Sequence, residues 1–237
     1  MPREKPARRD TGSKVQFYKE EQWRHLSILR ERAAEIMAIL EERGLKPIIH
    51  GSVCRGDVSA HSDVDIYIPK VVSSFVVELA IEQGGFSITN RELVHATPFH
   101  TIKAHIYLEG NSVVTLPLTN PAPIELEFYR FGGSLTYKAL LEGKRVAGVD
   151  KRLVLIEPIK EGHIESPVVG NEITTARKVG VSLKIVQERM KVLMRRDETG
   201  RTGVYLKRQL APDDTFEALL KRISDRDPVV RRRVQKG

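Results

Sequence analysis

Apolar positions recur at helical spacing over 19–43, where Trp23, Leu26, Leu29, Ala33, Ile36, Met37 and Leu40 share one face and Gly44 follows as a stop. The spacing predicts one long amphipathic helix, followed by a short strand at 47–50. Beyond Gly51 the period changes: Ile66-Tyr67-Ile68 belongs to an alternating strand that also carries Asp63 and Asp65. A second helix is expected over 74–83, stopped by Gly84-Gly85. Strands then follow at 86–89 and 93–96, and a hairpin joins 101–108 to 113–118 around Gly110-Asn111. Over 123–129, Ile124, Leu126 and Phe128 alternate with Glu125, Glu127 and Tyr129, which predicts a strand with both glutamates on one face. A short helix at 135–142 and a short strand at 153–156, inside a basic connection over 143–165, complete an α/β unit with one mixed sheet.

The pattern becomes helical again after Pro167. A short helix within 172–182 ends near Gly180, and Ser182 is placed to cap the next helix, 183–195. Ala176, Gly180, Val179, Val181 and Val186 fall where two crossing helices need a small residue, a left-handed turn and shared core. A turn over 197–203, a basic strand over 204–208, a helix at 215–223 and a tail containing Arg231-Arg232-Arg233 follow. This order resembles a winged helix-turn-helix. The resemblance implies nucleic-acid contacts from Ser182, Lys184, Gln187 and Lys191 on the second helix, and from Arg201 and Lys207 on the wing.

The chain has 237 residues and a net charge of +8, with 17 basic and 11 acidic residues in 161–237. That excess favours a polyanionic partner. No apolar stretch reaches the roughly 20 residues that span a bilayer, so no membrane is expected. The single cysteine, Cys54, excludes an internal disulfide framework and points to a reducing, cytoplasmic setting. No His/Cys cluster has zinc-ligand spacing.

The densest chemistry lies in 51–65, which reads Gly-Ser-x3-Gly-x5-Ser-Asp-x-Asp. Asp63 and Asp65, two apart on a strand, share a face, and a divalent cation relieves their repulsion. Gly51 lets backbone N–H groups approach a phosphate, and Ser52 adds a hydroxyl. This combination resembles the signature of the DNA polymerase beta nucleotidyltransferase superfamily in its minimal form. The whole chain is also similar to uncharacterised archaeal nucleotidyltransferase-domain proteins with a C-terminal winged helix.

The resemblance implies an α/β nucleotidyltransferase fold over 14–160, behind a flexible basic 1–13 and ahead of a small winged domain over 161–237. It implies two Mg²⁺ ions, with Mn²⁺ as a substitute, and a nucleoside triphosphate (NTP) held by Gly51, Ser52, Arg55 and Ser62. The ions would be ligated by Asp63, Asp65 and a third carboxylate, Glu127 before Glu125. The expected reaction is transfer of a nucleoside monophosphate to an acceptor hydroxyl, with nucleic acid ahead of a protein. The alternative is a nucleic-acid-binding regulator that senses nucleotide. A homodimer is compatible with either.

Overall fold

A computed structural model describes residues 12–200 and 203–236. The chain is a mixed α/β protein with two sheets, one of four strands and one of seven, and the seven-stranded sheet is mixed. It divides into two compact units. The first comprises 1–31, 49–62 and 127–202, and the second 32–48, 63–126 and 203–237.

The first unit contains β1 (Lys14–Phe17), the opening turns of α1 (Glu20–Glu42), the short α2 (Ser52–Arg55) and, later, β7 (Ser134–Thr136) and α5 (Tyr137–Leu141). β8 (Gly148–Val149), β9 (Val154–Ile159) and β10 (Gly162–Pro167) join β1 in an antiparallel sheet of order β1-β10-β9-β8. Gly162 is required where β1 crosses it: an added Cβ would lie 1.9 Å from the Gln16 carbonyl oxygen. The core here is Leu26, Leu29, Ile49, Val53, Val154, Leu155, Ile156, Ile185 and Val186, all under a tenth exposed. The sequence pattern anticipates only part of β9 in this sheet, because β1, β8 and β10 are short and sit among charged residues.

In the second unit α1 continues beyond residue 31, and α3 (Ser74–Gln83) matches the apolar run. The strands run in the order β11-β4-β5-β6-β3, with β3 (Val64–Tyr67) parallel to β6 (Ser112–Pro117). β4 (Ile88–His95) pairs antiparallel with β5 (Ile102–Leu108), and β5 pairs antiparallel with β6. The two strands expected at 86–89 and 93–96 are therefore one, and its register shifts between Ile88 and Asn90 where the alternation breaks. Ile66, Ile81, Leu93, Ile102, Ile106, Leu116 and Phe216 are buried in its core. Two helices, α8 (Phe216–Arg226) and α9 (Pro228–Gln235), end the chain.

Two expected elements differ. Residues 123–129 are not a strand but open the helix α4 (Pro123–Phe131). Pro123 occupies the first helical turn, where its missing N–H costs nothing, and Glu125 reaches back to accept from the Ala122 N–H at 3.0 Å. Leu and Glu are also strong helix formers, so a six-residue alternation was outweighed. The expected wing strand forms as β11 (Leu206–Gln209), but it pairs with β4, Leu206 opposite His95 and Gln209 opposite Glu92. The two helices expected after Pro167 do form. α6 (Glu172–Val179) ends at Gly180 in the left-handed region (φ 71°), and Ser182 caps α7 (Leu183–Thr199).

Candidate functional site

Gly51 adopts φ 88° and ψ −148°, a conformation open essentially to glycine alone, and ends β2 (Ile48–His50) by turning the chain into α2. Its N–H donates to the Gly133 carbonyl at 2.9 Å. Ser52 Oγ donates to Ser62 Oγ at 3.3 Å, and Ser62 Oγ also accepts from the Ser59 N–H at 2.9 Å. The ten-residue loop is thereby closed on itself, and the residue immediately ahead of Asp63 is tied to the Gly-Ser turn. His50 packs edge-on against the Tyr129 ring, with centroids 4.8 Å apart. Cys54 is fully buried and its thiol donates to the Ile49 carbonyl. Burial pushes that thiol up to about 12, as expected of a packing residue and not a nucleophile.

Arg55 is 5% exposed and fully engaged. Its Nε and Nη2 each donate to Asp57 at 2.9 Å in a bidentate pair, and Nη1 donates to the Gly132 carbonyl. An arginine held this way braces the loop.

In the second unit, Asp63 is exposed just ahead of β3, and Asp65 lies half-buried on it. Asp65 is opposite Val113, and Val113 is opposite Tyr107; Tyr67 is opposite Thr115, and Thr115 is opposite His105. Paired residues point to one face, so the face carrying Asp65 continues through Val113, Thr115, Tyr107 and His105 with no further acid on β6 or β5. The next carboxylate on it is Glu92 of β4, three strands over, or about 14 Å at about 4.8 Å per strand. Glu92 accepts from the Tyr107 hydroxyl and pairs with Lys207, each at 2.9 Å. Burial, the bond to Glu92 and the charges of Glu92 and Asp65 push the Tyr107 hydroxyl up to about 12. His105, bonded to Thr115 at 2.8 Å, is pushed down to about 4 by burial and by Lys103.

The two glutamates proposed from the sequence are committed elsewhere. Glu125 accepts from the N–H of Thr101 at 2.8 Å and from its hydroxyl at 2.7 Å, besides Ala122. Burial opposes its charge, but these bonds outweigh it and hold the carboxyl below its ordinary range. Glu127 accepts from the Ser182 N–H at 3.1 Å and from the Ser182 hydroxyl, and that hydroxyl bond lowers its carboxyl. No group of three or more His, Cys, Asp or Glu among the described residues is arranged to hold a metal ion. The donors at 63 and 65 suit one Mg²⁺, which binds through one or two carboxylates plus substrate phosphates. The three carboxylates expected from the resemblance are not grouped among the described residues.

Among the residues expected at nucleic acid, Ser182 is held by Glu127 and Lys207 by Glu92, while Arg201 lies outside the described residues. Lys184 is exposed at the start of α7. Gln187 and Lys191 line a shallow cavity of about 370 Å³ with Ile173, Leu183, Met190 and Met194. No helix among the described residues is long and apolar enough to cross a membrane. Comparison with protein-family models, with curated proteins and with solved structures finds no match for this chain.

Proposed function

We propose that the chain binds a nucleoside triphosphate with Mg²⁺ through 51–65 and transfers its nucleoside monophosphate to an acceptor hydroxyl, most simply that of a nucleic acid: the hydroxyl oxygen bonds to the α-phosphorus, the α–β phosphoanhydride breaks, and pyrophosphate and the hydroxyl proton leave. The observation that carries this reading is the closed loop. Gly51 is held at positive φ by the Gly133 carbonyl, and Ser52 is bonded to Ser62 directly ahead of Asp63-Val64-Asp65. Ser52 and the N–H groups after Gly51 would bind phosphate oxygens, and Asp63 and Asp65 would hold the cation that arrives with them. When bound, that cation neutralises charge on the phosphates. Arg55 positions the loop without touching substrate.

A second reading, a regulator that binds nucleotide without transferring it, is favoured by one observation. β6, the parallel neighbour of β3, offers Val113 and Thr115 where a third acid would be useful. The chain incubated with α-labelled NTPs, Mg²⁺ or Mn²⁺, and RNA, DNA or cell lysate separates the two. Label entering a macromolecule, and lost in Asp63→Ala, supports transfer. Saturable NTP binding with no labelled acceptor in any mixture rejects transfer and leaves the regulator.

A further inference from the structure

The second unit carries a surface that neither the motif nor the helix-turn-helix accounts for. Phe99, in the turn between β4 and β5, is 90% exposed, the highest exposure of any large apolar side chain among the described residues. An aromatic ring so exposed leaves its faces open to stack on a partner. Phe99 stands at the edge of a cavity of about 630 Å³ that it lines with Pro98, Asn120, Arg232, Arg233 and Lys236.

The cations come from α9, whose eight residues include three arginines and no acid. Arg233 fastens the helix to the turn: its Nε donates to the His100 carbonyl at 3.2 Å, and Nη2 donates to the Asn120 carbonyl at 2.6 Å and to the Thr101 hydroxyl at 3.3 Å. Thr101 is in turn held by Glu125, so the glutamate expected at a metal organises the floor of this surface. Arg232 and Lys236 are exposed, stand four apart on one helix face, and form no ion pair among the described residues. Like charges at that spacing repel, and an anion relieves them. Arg232 gives only its Nε to the Pro228 carbonyl, leaving both terminal nitrogens for a ligand. The nearest acid in the chain, Asp227, is already used by the Val229 and Val230 N–H groups and the Tyr205 hydroxyl.

We propose that the Phe99 turn and α9 dock a single-stranded nucleic acid, with Phe99 stacking on an unpaired base and Arg232 and Lys236 meeting the flanking phosphates. The strand is single because a duplex hides its base faces in its own stack, whereas a lone ring beside two cations suits a backbone with a splayed base. This deepens the function proposed above by naming the acceptor class, and it rests on that reading only for the word acceptor; binding stands on the surface itself.

The test is anisotropy of a fluorescein-labelled 20-mer of deoxythymidylate with the full chain, without NTP or divalent cation, over a range of salt. The expected result is salt-dependent binding. Phe99→Ala lowers the affinity about 5- to 150-fold at unchanged salt slope, because stacking is worth about 1–3 kcal/mol per base. Phe99→Trp retains the affinity, and Arg232→Ala with Lys236→Ala reduces the slope by about 1.4, at about 0.7 per phosphate contact on a single strand. Each variant should keep the parent's melting temperature, since the altered side chains are exposed. Three results overturn the proposal: affinity unmoved by all of these substitutions, loss caused instead by Lys184→Ala with Lys191→Ala on α7, or equal displacement by polyglutamate with no effect of Phe99→Ala. The last would assign the surface to acidic protein. Because the assay contains no NTP, its failure leaves the transfer reading untouched, and failure of transfer leaves this one untouched.

Discussion

The loop at 51–57 and the strand start at 63–65 follow one another in the chain, yet they use charge in opposite ways. In the loop, the guanidinium of Arg55 is divided between the Asp57 carboxylate and the Gly132 carbonyl, and both side chains are nearly buried. At the strand start, Asp63 faces solvent and spends no hydrogen bond on another described residue. The loop's charges therefore hold the backbone, and Asp63 is left open to solvent. A substitution in the first region should register in stability, and one in the second in chemistry. The same division separates Glu125 and Glu127, both bonded to backbone and hydroxyl donors, from Asp63.

The largest expected effect lies at the acids. Asp63→Ala and Asp65→Ala should each lower nucleotidyl transfer about 10³-fold or more, roughly 4 kcal/mol of barrier at about 1.4 kcal/mol per tenfold. Asp63→Ala should leave unfolding free energy within about 0.5 kcal/mol, as expected for an exposed side chain. Transfer assays beside urea melts check both halves. A large stability loss in Asp63→Ala would break the contrast, because that acid would then be part of the frame.

Asp57→Ala is the converse. It leaves the Arg55 charge 7% exposed with only a carbonyl for company, and stranding one member of a buried pair costs about 3–5 kcal/mol. A fall in urea midpoint of that size at unchanged slope is the expected outcome. If Asp57→Ala instead folds normally and loses only NTP affinity, Arg55 belongs with the ligand-facing groups and the contrast fails. Gly51→Ala should cost somewhat less, about 1–3 kcal/mol. An added Cβ meets nothing within 4 Å, so the cost is the positive φ alone.

How much of this could be read from the sequence follows the range of the interactions. The 74–83 helix and the long helix were legible because apolar spacing over ten residues or more leaves one solution. The Ser52–Ser62 closure was legible as a loop because both residues lie within it. The bracing of Arg55 was not legible, since one of its partners, the Gly132 carbonyl, lies 77 positions away. Residues 123–129 were misread for a different reason. Six residues of alternation are too few to overrule Pro123 and Glu125, which start a helix through contacts with Ala122. β11 reads as a basic wing locally, and only its register with β4 assigns it elsewhere. Phe99 gave no local signal beyond an aromatic after Pro98, because its meaning depends on α9 arriving from 130 residues further on.

Glu125 sharpens the comparison by pH. Its carboxyl titrates lower in the folded chain than its ordinary 4.5, so the folded state binds fewer protons there than the unfolded state. Its contribution is complete above about pH 4.5 and is lost as pH falls through the lower folded value. Glu125→Gln should cost about 1.5–3 kcal/mol at neutral pH, the usual worth of hydrogen bonds to a charged group. The variant's stability should then fall less steeply than the parent's below pH 4.5. His105 acts in the same direction over a higher window. Pushed down to about 4 from 6.5, it favours the folded state fully above 6.5 and loses that contribution toward 4. Replacement of His105 by Gln should flatten the interval between pH 6.5 and 4, and Glu125→Gln should leave it alone. Chemical melts at half-unit steps resolve the two.

The smallest expected effect is at Glu127. Its carboxylate accepts two bonds from Ser182 at the first turn of α7, where negative charge also meets the helix dipole favourably. The site is open to water, so screening reduces both terms. Glu127→Ala should cost about 1 kcal/mol, or about 2–4 °C in melting temperature for a chain of this size. The cost should shrink at high salt. Ser182→Ala removes the hydroxyl donor from the other side and keeps the N–H, so the double variant should cost less than the sum of the singles by about 0.5 kcal/mol or more. Transfer should stay within twofold of the parent in Glu127→Ala. A loss of 10²-fold or more there would return the third acid to Glu127 and would place this carboxylate with Asp63 and Asp65 instead of with the frame.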